Sequence, residues 1–237
     1  MNRRRSKNKQ LPAVIPIERR VDDVILGRYL IQQSLWARDQ SAPIKNFESF
    51  NAQQLQMPLR WLPAQVGSEV LLTARGPASS RLVRLFERYG ERPEIDNSPA
   101  QRLYFATYHR VMSRGEFLRV SNRSITKWRL AAVILEELAT AEYCIKCSGS
   151  GLEGEAYCSK CGGTGFLRAS KTWRALECGC KPLDFEGRVE PLYEDVLLGL
   201  IGEERRMLGM YMSLLRGMFG PKMVEDAINQ GMKVEAA

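Results

Sequence analysis

Histidine is almost absent from this chain: His109 is the only one in 237 residues. It sits in Tyr108-His109-Arg110 on a helical pattern, where a lone imidazole is ordinarily packed or solvent-facing rather than catalytic. No HExxH pair occurs, no GxxxxGK[ST] phosphate loop, and no HxE ahead of a PCxxC. Metalloprotease, P-loop NTPase and zinc deaminase chemistry each need one of these patterns, so no enzymatic activity is expected. Apolar runs are equally scarce. A membrane-spanning helix needs ~20 such residues, and the longest candidate, Val196 to Ile201, is short and interrupted by Gly199. Leu11-Pro-Ala-Val-Ile-Pro16 is too short and proline-broken for a signal-peptide core. The expected setting is the cytoplasm, with no membrane partner.

Acidic residues are outnumbered, 27 against 35 Lys and Arg, which leaves a formal net charge of +8. Such a surplus suits a polyanionic partner. Part of it is concentrated at Arg3, Arg4, Arg5, Lys7 and Lys9, ahead of Pro12 and Pro16, which break any early helix. Residues 1–20 therefore read as a disordered basic tail. Free in solution such a tail is simply solvated, and on nucleic acid it adds counterion-release affinity.

Four of the six cysteines fall in one pattern used twice, Cys144-Ile-Lys-Cys147-Ser-Gly-Ser-Gly151 and Cys158-Ser-Lys-Cys161-Gly-Gly-Thr-Gly165. A tetrahedral zinc ion needs four soft ligands at about 2.3 Å, and two facing CxxC pairs supply them. The glycines after each pair can take positive φ and let the chain turn away from the site. Disulfides or a redox CxxC are the alternatives. A redox motif belongs beside a βαβ pattern, which the chain lacks, and a reducing cytoplasm favours metal over disulfide. Zinc held by Cys144, Cys147, Cys158 and Cys161 has no open position for substrate, so its expected role is structural. Cys178 and Cys180, one residue apart, read as structural and as substitute ligands.

Elsewhere the periodicity is helical. Val21 to Asp39, Ser79 to Tyr89 (closed by Gly90), a helix opened by Ser98-Pro99, and Ser124 to Tyr143 running straight into Cys144 are the clearest segments. Residues 41–78, punctuated by four prolines, suggest short helices and loops. The fold class is mostly α, a helical protein with a zinc-binding CxxC/CxxC insertion and a helix-turn-helix. Its segments are the tail, an N-terminal helical region at 21–120, the zinc module with helix-turn-helix at 121–191, and C-terminal helices at 192–237. In that last segment Val196, Leu197, Leu200, Met207, Leu208, Met210, Tyr211, Leu214 and Leu215 supply apolar surface, most of it for the protein's own core.

The helix-turn-helix is read from a short helix over Arg168 to Glu177, a turn at Cys178-Gly-Cys180-Lys-Pro182, and a further helix capped by Asp184 that continues past Pro191. In such a motif the first helix crosses phosphates and the second enters the major groove. Lys171, Arg174 and Lys181 are then phosphate contacts, and the Asp184 to Arg188 end faces base edges. Arg168 and Thr172 complete the candidate set. Any two helices joined by a tight turn share this pattern.

One family combines these features. A long helix ending Ala141-Glu142-Tyr143-Cys144, glycine-rich cysteine knuckles, a short helix beginning Arg168-Ala-Ser, and Arg188-Val-Glu-Pro-Leu-Tyr193 together resemble the late-gene antitermination protein Q of lambdoid phages. The resemblance covers roughly residues 100–200, and Leu138-Ala-Thr-Ala-Glu-Tyr-Cys144 and Glu190-Pro-Leu-Tyr193 are its most specific parts. It implies a non-catalytic protein of the bacterial host cytoplasm. Such a protein binds double-stranded DNA in a late promoter, engages RNA polymerase holoenzyme at a promoter-proximal pause, and travels with the elongation complex through terminators. A zinc-containing DNA-binding regulator without antitermination is the nearest alternative. The CxxCxGxG spelling also resembles the zinc region of DnaJ-type chaperones, but that implies four repeats and a His-Pro-Asp J domain, where this chain has two repeats and His109 is followed by Arg110.

Overall fold

A computed structural model of the protein describes residues 17–37, 39–44, 47–62, 68–75, 79–91, 96–117, 127–147, 149–154 and 156–235. The basic tail lies outside them except for its last four residues, which open a helix. The described chain is mostly helical. Helix α1 (Ile17–Trp36) starts ahead of Val21 and ends before Asp39. The proline-punctuated stretch holds one element that its composition did not suggest, an antiparallel pair of β1 (Pro43–Ile44) and β2 (Phe47–Asn51). Asn51 then closes a capping box on α2 (Ala52–Gln56): its Oδ1 accepts from the Gln54 N–H at 2.9 Å, and Gln54 Oε1 accepts from the Asn51 N–H at 2.9 Å. A 3-10 turn and α3 (Ser68–Thr73) follow.

The interior is organised by α4 (Ser79–Glu91), α5 (Pro99–Phe117) and α6 (Lys127–Thr140). Ser98 caps α5 as its sequence suggests, with Oγ accepting from the Gln101 N–H at 3.1 Å. His109 is exposed on that helix. From Leu130 to Ala139 every residue of α6 is buried, so this helix is enclosed on all sides rather than amphipathic. Ser124 and Ile125, expected at its start, lie outside the described residues. Its end also differs: α6 stops at Thr140, and the next residues run extended, with Tyr143 bridging Phe166. The cysteine module is therefore tied to α6 by a short strap rather than carried on a helical rod.

Gly90 does not close α4. It lies buried inside the helix, where an added Cβ would sit 2.7 Å from the Ala132 Cβ of α6. The glycine is a contact point that lets two backbones approach.

After the module come α7 (Lys171–Glu177), a short α8 (Pro182–Asp184), a π-helical turn at Phe185–Val189, and the 30-residue α9 (Glu190–Phe219). Ser170 caps α7, whereas Asp184 makes no capping bond; Lys181 holds the N-cap position of α8 with Pro182 behind it. The widened turn absorbs the disturbance of Pro191, whose ring and missing N–H would otherwise break the ladder. Helix α10 (Pro221–Glu235) ends the described chain. Two apolar clusters fill the protein, one drawing on α3 to α6 and the first half of α9, the other on α1, α2, the second half of α9 and α10. Val196, Leu197, Leu200, Met207, Leu208, Tyr211 and Leu215 all belong to them, so most of the apolar surface of α9 packs the protein's own core. None of the described helices is long and apolar enough to cross a membrane.

Two measurements check this packing. Gly90→Leu should destabilise the fold by more than the ~1–3 kcal/mol typical of an overpacked core site, because the obstruction is backbone-close, and urea denaturation reads it. Glu136 is 3 % exposed, one of its carboxylate oxygens lacks a hydrogen-bond partner, and Arg129 Nη1 stands 3.7 Å away. Burial raises its carboxyl to about 7; Arg129 opposes the shift and Glu87 and Glu177 add to it. A raised carboxyl binds its proton more tightly in the folded state, so its contribution is fully present at low pH and is lost as pH rises through about 7. Glu136→Gln should therefore change stability little near pH 4, below the ordinary carboxyl value of 4.5, and raise it at pH 8.

Candidate metal centre and the basic helix pair

Cys144, Cys147, Cys158 and Cys161 are buried, and their sulfurs all lie within 4.8 Å of one another. The Cys144 and Cys158 sulfurs are 3.8 Å apart, and those of Cys147 and Cys161 are 3.7 Å apart. Four sulfurs at about 2.3 Å from a tetrahedral ion would stand about 3.8 Å from each other. A disulfide would need about 2.05 Å. The four side chains can hold a metal ion, and their geometry is compatible with zinc. Cys178 and Cys180 are not part of the cluster. Cys178 is buried at the end of α7, where burial raises its thiol, and Cys180 is partly buried beside it.

The two knuckles repeat several of their bonds at an offset of 14 residues. Gly151 N–H donates to Cys147 Sγ at 3.2 Å, and Gly165 N–H to Cys161 Sγ at 3.3 Å. Ser150 Oγ donates to the Cys147 carbonyl at 2.7 Å, and Thr164 Oγ1 to the Cys161 carbonyl at 2.7 Å. The copies also exchange: Cys144 N–H donates to the Gly165 carbonyl and Cys158 N–H to the Gly151 carbonyl, both at 2.9 Å. A Cβ on Gly151 would lie 2.3 Å from the Gly163 oxygen, and one on Gly165 lies 2.3 Å from the Gly149 oxygen. Only glycine tolerates that approach, and both residues have positive φ. Burial raises the Cys161 thiol, but the N–H donors and the neighbouring cysteines outweigh it and bring it to about 7. Hydrogen bonding with Glu153, then burial, pushes Cys158 up to about 12.

Residues distant in sequence seat the module on the helices. Arg28 of α1 donates to the Gly149 carbonyl at 2.7 Å, and Arg205 of α9 donates to the Gly163 carbonyl at 2.6 Å. These carbonyls are equivalent positions of the two knuckles. Arg28 also pairs with Glu204 at 3.2 Å, and Arg75 reaches Glu204 at 2.7 Å while lying 3.8 Å above the Phe166 ring. No sequence motif names these residues. The available signal is Glu204 itself, a charge inside the apolar stripe of Leu200, Leu208 and Tyr211.

The nucleic-acid candidates are distributed unevenly. Thr172 on α7 and Lys181, Asp184 and Arg188 around α8 are exposed. Arg168 pairs with Glu194, and Lys171 pairs with Glu190 at 3.0 Å and Glu186 at 3.7 Å. Arg174, expected at phosphate, is 3 % exposed instead. Its Nε donates to Glu137 at 2.7 Å, its Nη1 donates to Glu194 at 2.8 Å, and Tyr193 donates to the same Glu137 at 2.7 Å. Arg174 is thus committed to neutralising a carboxylate of the enclosed helix α6. No family model, curated protein or solved structure matches the chain.

Elemental analysis of purified protein should give one divalent metal ion per chain, and Cys158→Ser should abolish its retention. Structural zinc contributes an apparent ~10–16 kcal/mol in small zinc domains, so that variant should also lose the ordered module. Binding must displace thiol protons, notably that of Cys158. Loading the reduced apoprotein at pH 7.5 should therefore release protons, and affinity should fall as pH falls, measured by chelator competition.

Proposed function

We propose that the protein is a phage transcription antiterminator, built around a structural zinc ion. It binds double-stranded DNA at a late promoter, engages RNA polymerase holoenzyme paused nearby, and accompanies the elongation complex through terminators. The observation that carries the reading is the four-sulfur centre. All four positions of a tetrahedral ion are taken by protein thiolates, which suits a scaffold rather than a catalyst. The centre sits within the stretch, roughly residues 100–200, that resembles the Q family. In this reading the helix-turn-helix consists of α7, a turn at Gly179 with φ of 70°, and the helical stretch that runs from α8 through the π-helical turn into α9, and Thr172, Lys181, Asp184 and Arg188 reach DNA.

The same helix pair also exposes Leu176 and Leu183, at 66 % and 83 %. On this reading the two leucines give polymerase an exposed apolar contact beside the DNA-binding residues. An in vitro transcription assay with a late promoter upstream of a terminator tests the proposal. Readthrough should increase with the protein present, without a rise in initiation. If initiation frequency changes while terminator efficiency does not, the protein is a DNA-binding regulator of another kind.

A further inference from the structure

Helix α4 carries Arg81, Arg84 and Arg88 on one solvent face, within an arc of about 60° at 3.6 residues per turn. All three are exposed, and among the described residues none forms an ion pair with a carboxylate. Arg88 leans over the Tyr89 ring at 5.9 Å and lies near Asp96, while Glu87 and Glu91 flank the stripe on one side without pairing to it. The contrast with the helix pair beyond the metal centre is plain, since Arg168, Lys171 and Arg174 are each neutralised by glutamates there.

Folding accounts for only part of the stripe: Arg88 stands in the last turn of α4, where the helix dipole favours a cation, but Arg81 and Arg84 have no such support. Like charges at i,i+3 and i,i+4 destabilise an isolated helix by roughly 0.2–0.5 kcal/mol per pair. Arg81 also stands in the first turn, which holds no acidic residue and where the helix dipole already favours negative charge. We propose that this face of α4 holds the phosphate backbone of duplex DNA through Arg81, Arg84 and Arg88. The proposal rests on the DNA-binding reading above and adds a contact surface remote in sequence from α7 and α8.

Dimensions and chemistry suit that partner. Seven residues of helix rise about 10 Å, the length over which one strand presents about three phosphates at 3.4 Å each. The opposite face of α4 is committed to the interior through Leu82, Leu85, Phe86 and Tyr89, so the helix is held rigidly and has no apolar face to offer a lipid surface. Tyr89 is buried and, among the described residues of α4, no exposed aromatic accompanies the arginines, so the helix offers no platform for stacking on unpaired bases.

The test uses full-length, metal-loaded protein and fluorescence anisotropy with late-promoter and random duplexes of equal length over a range of salt. Combined Arg81→Gln, Arg84→Gln and Arg88→Gln should weaken binding to both duplexes at least tenfold. It should also make the slope of log K against log salt shallower by about two to three units, at roughly 0.9 per lost phosphate contact. Arg84→Gln alone should change the slope by about one, and Arg206→Gln on α9 should change neither slope nor affinity. Metal content and circular dichroism of each variant confirm the fold. Wild-type slope and affinity in the triple variant, with binding lost in a combined Lys181→Gln and Arg188→Gln variant, would overturn the α4 surface and leave the DNA-binding reading standing. Absence of salt-sensitive duplex binding by the wild-type protein would overturn both.

Discussion

A carboxylate removed from water must be met by cations, and Glu204 imposes that requirement at the centre of this protein. It is 1 % exposed, within the apolar stripe of α9. Burial alone would raise its pKa, yet Arg28 and Arg75 together hold it below the ordinary range. Those arginines come from α1 and from the end of α3, so neutralising one charge fixes both segments against α9. Arg28 then has an N–H group left for the Gly149 carbonyl, and Arg75 lies over Phe166, so the cysteine module rests on the same cluster. Losing Glu204 would strand buried guanidinium groups, a defect of about 3–5 kcal/mol in comparable buried pairs.

What could be read in the chain beforehand follows the range of the interaction. Local devices were legible: the cysteine knuckles, the Ser98 cap and the helical periodicity of α1, α4 and α6 all depend on residues within a turn or two of each other. Gly90 was misplaced because a helix-ending glycine and a helix-crossing glycine look identical until the partner, Ala132, is known. The end of α6 was overextended because helical spacing continues into Ala141-Glu142, whereas the strap is set by Leu167 N–H donating to the Glu142 carbonyl from across the module. Arg28, Arg75, Glu204 and Arg205 escaped altogether, since their partners are far away in sequence.

Charge shows the same limit in another form. Basic residues cluster visibly between 168 and 188, and density alone marks that stretch as the surface for a polyanion. In the folded chain Glu137 comes from α6 and Glu190 and Glu194 from α9, and much of the positive field is cancelled on arrival. On α4 the arginines are fewer, yet none is cancelled by a paired carboxylate among the described residues. The surplus that matters to a partner is what remains after folding.

The reciprocal bonding of the two knuckles bears on the order in which the chain assembles during synthesis. The reciprocal backbone bonds of the module close over at most 21 residues, from Cys144 to Gly165, so little chain entropy opposes them. Its seats on the helices span 42 residues to Arg205 and 121 to Arg28. Because each copy supplies carbonyls to the other, half a module has unpaired backbone and no complete ligand set, and the two halves must form together. They can do so as soon as Gly165 has left the ribosome, before α9 exists. Capture of a metal ion by these four cysteines would then need only a short stretch of nascent chain, with the later helices closing around a finished site.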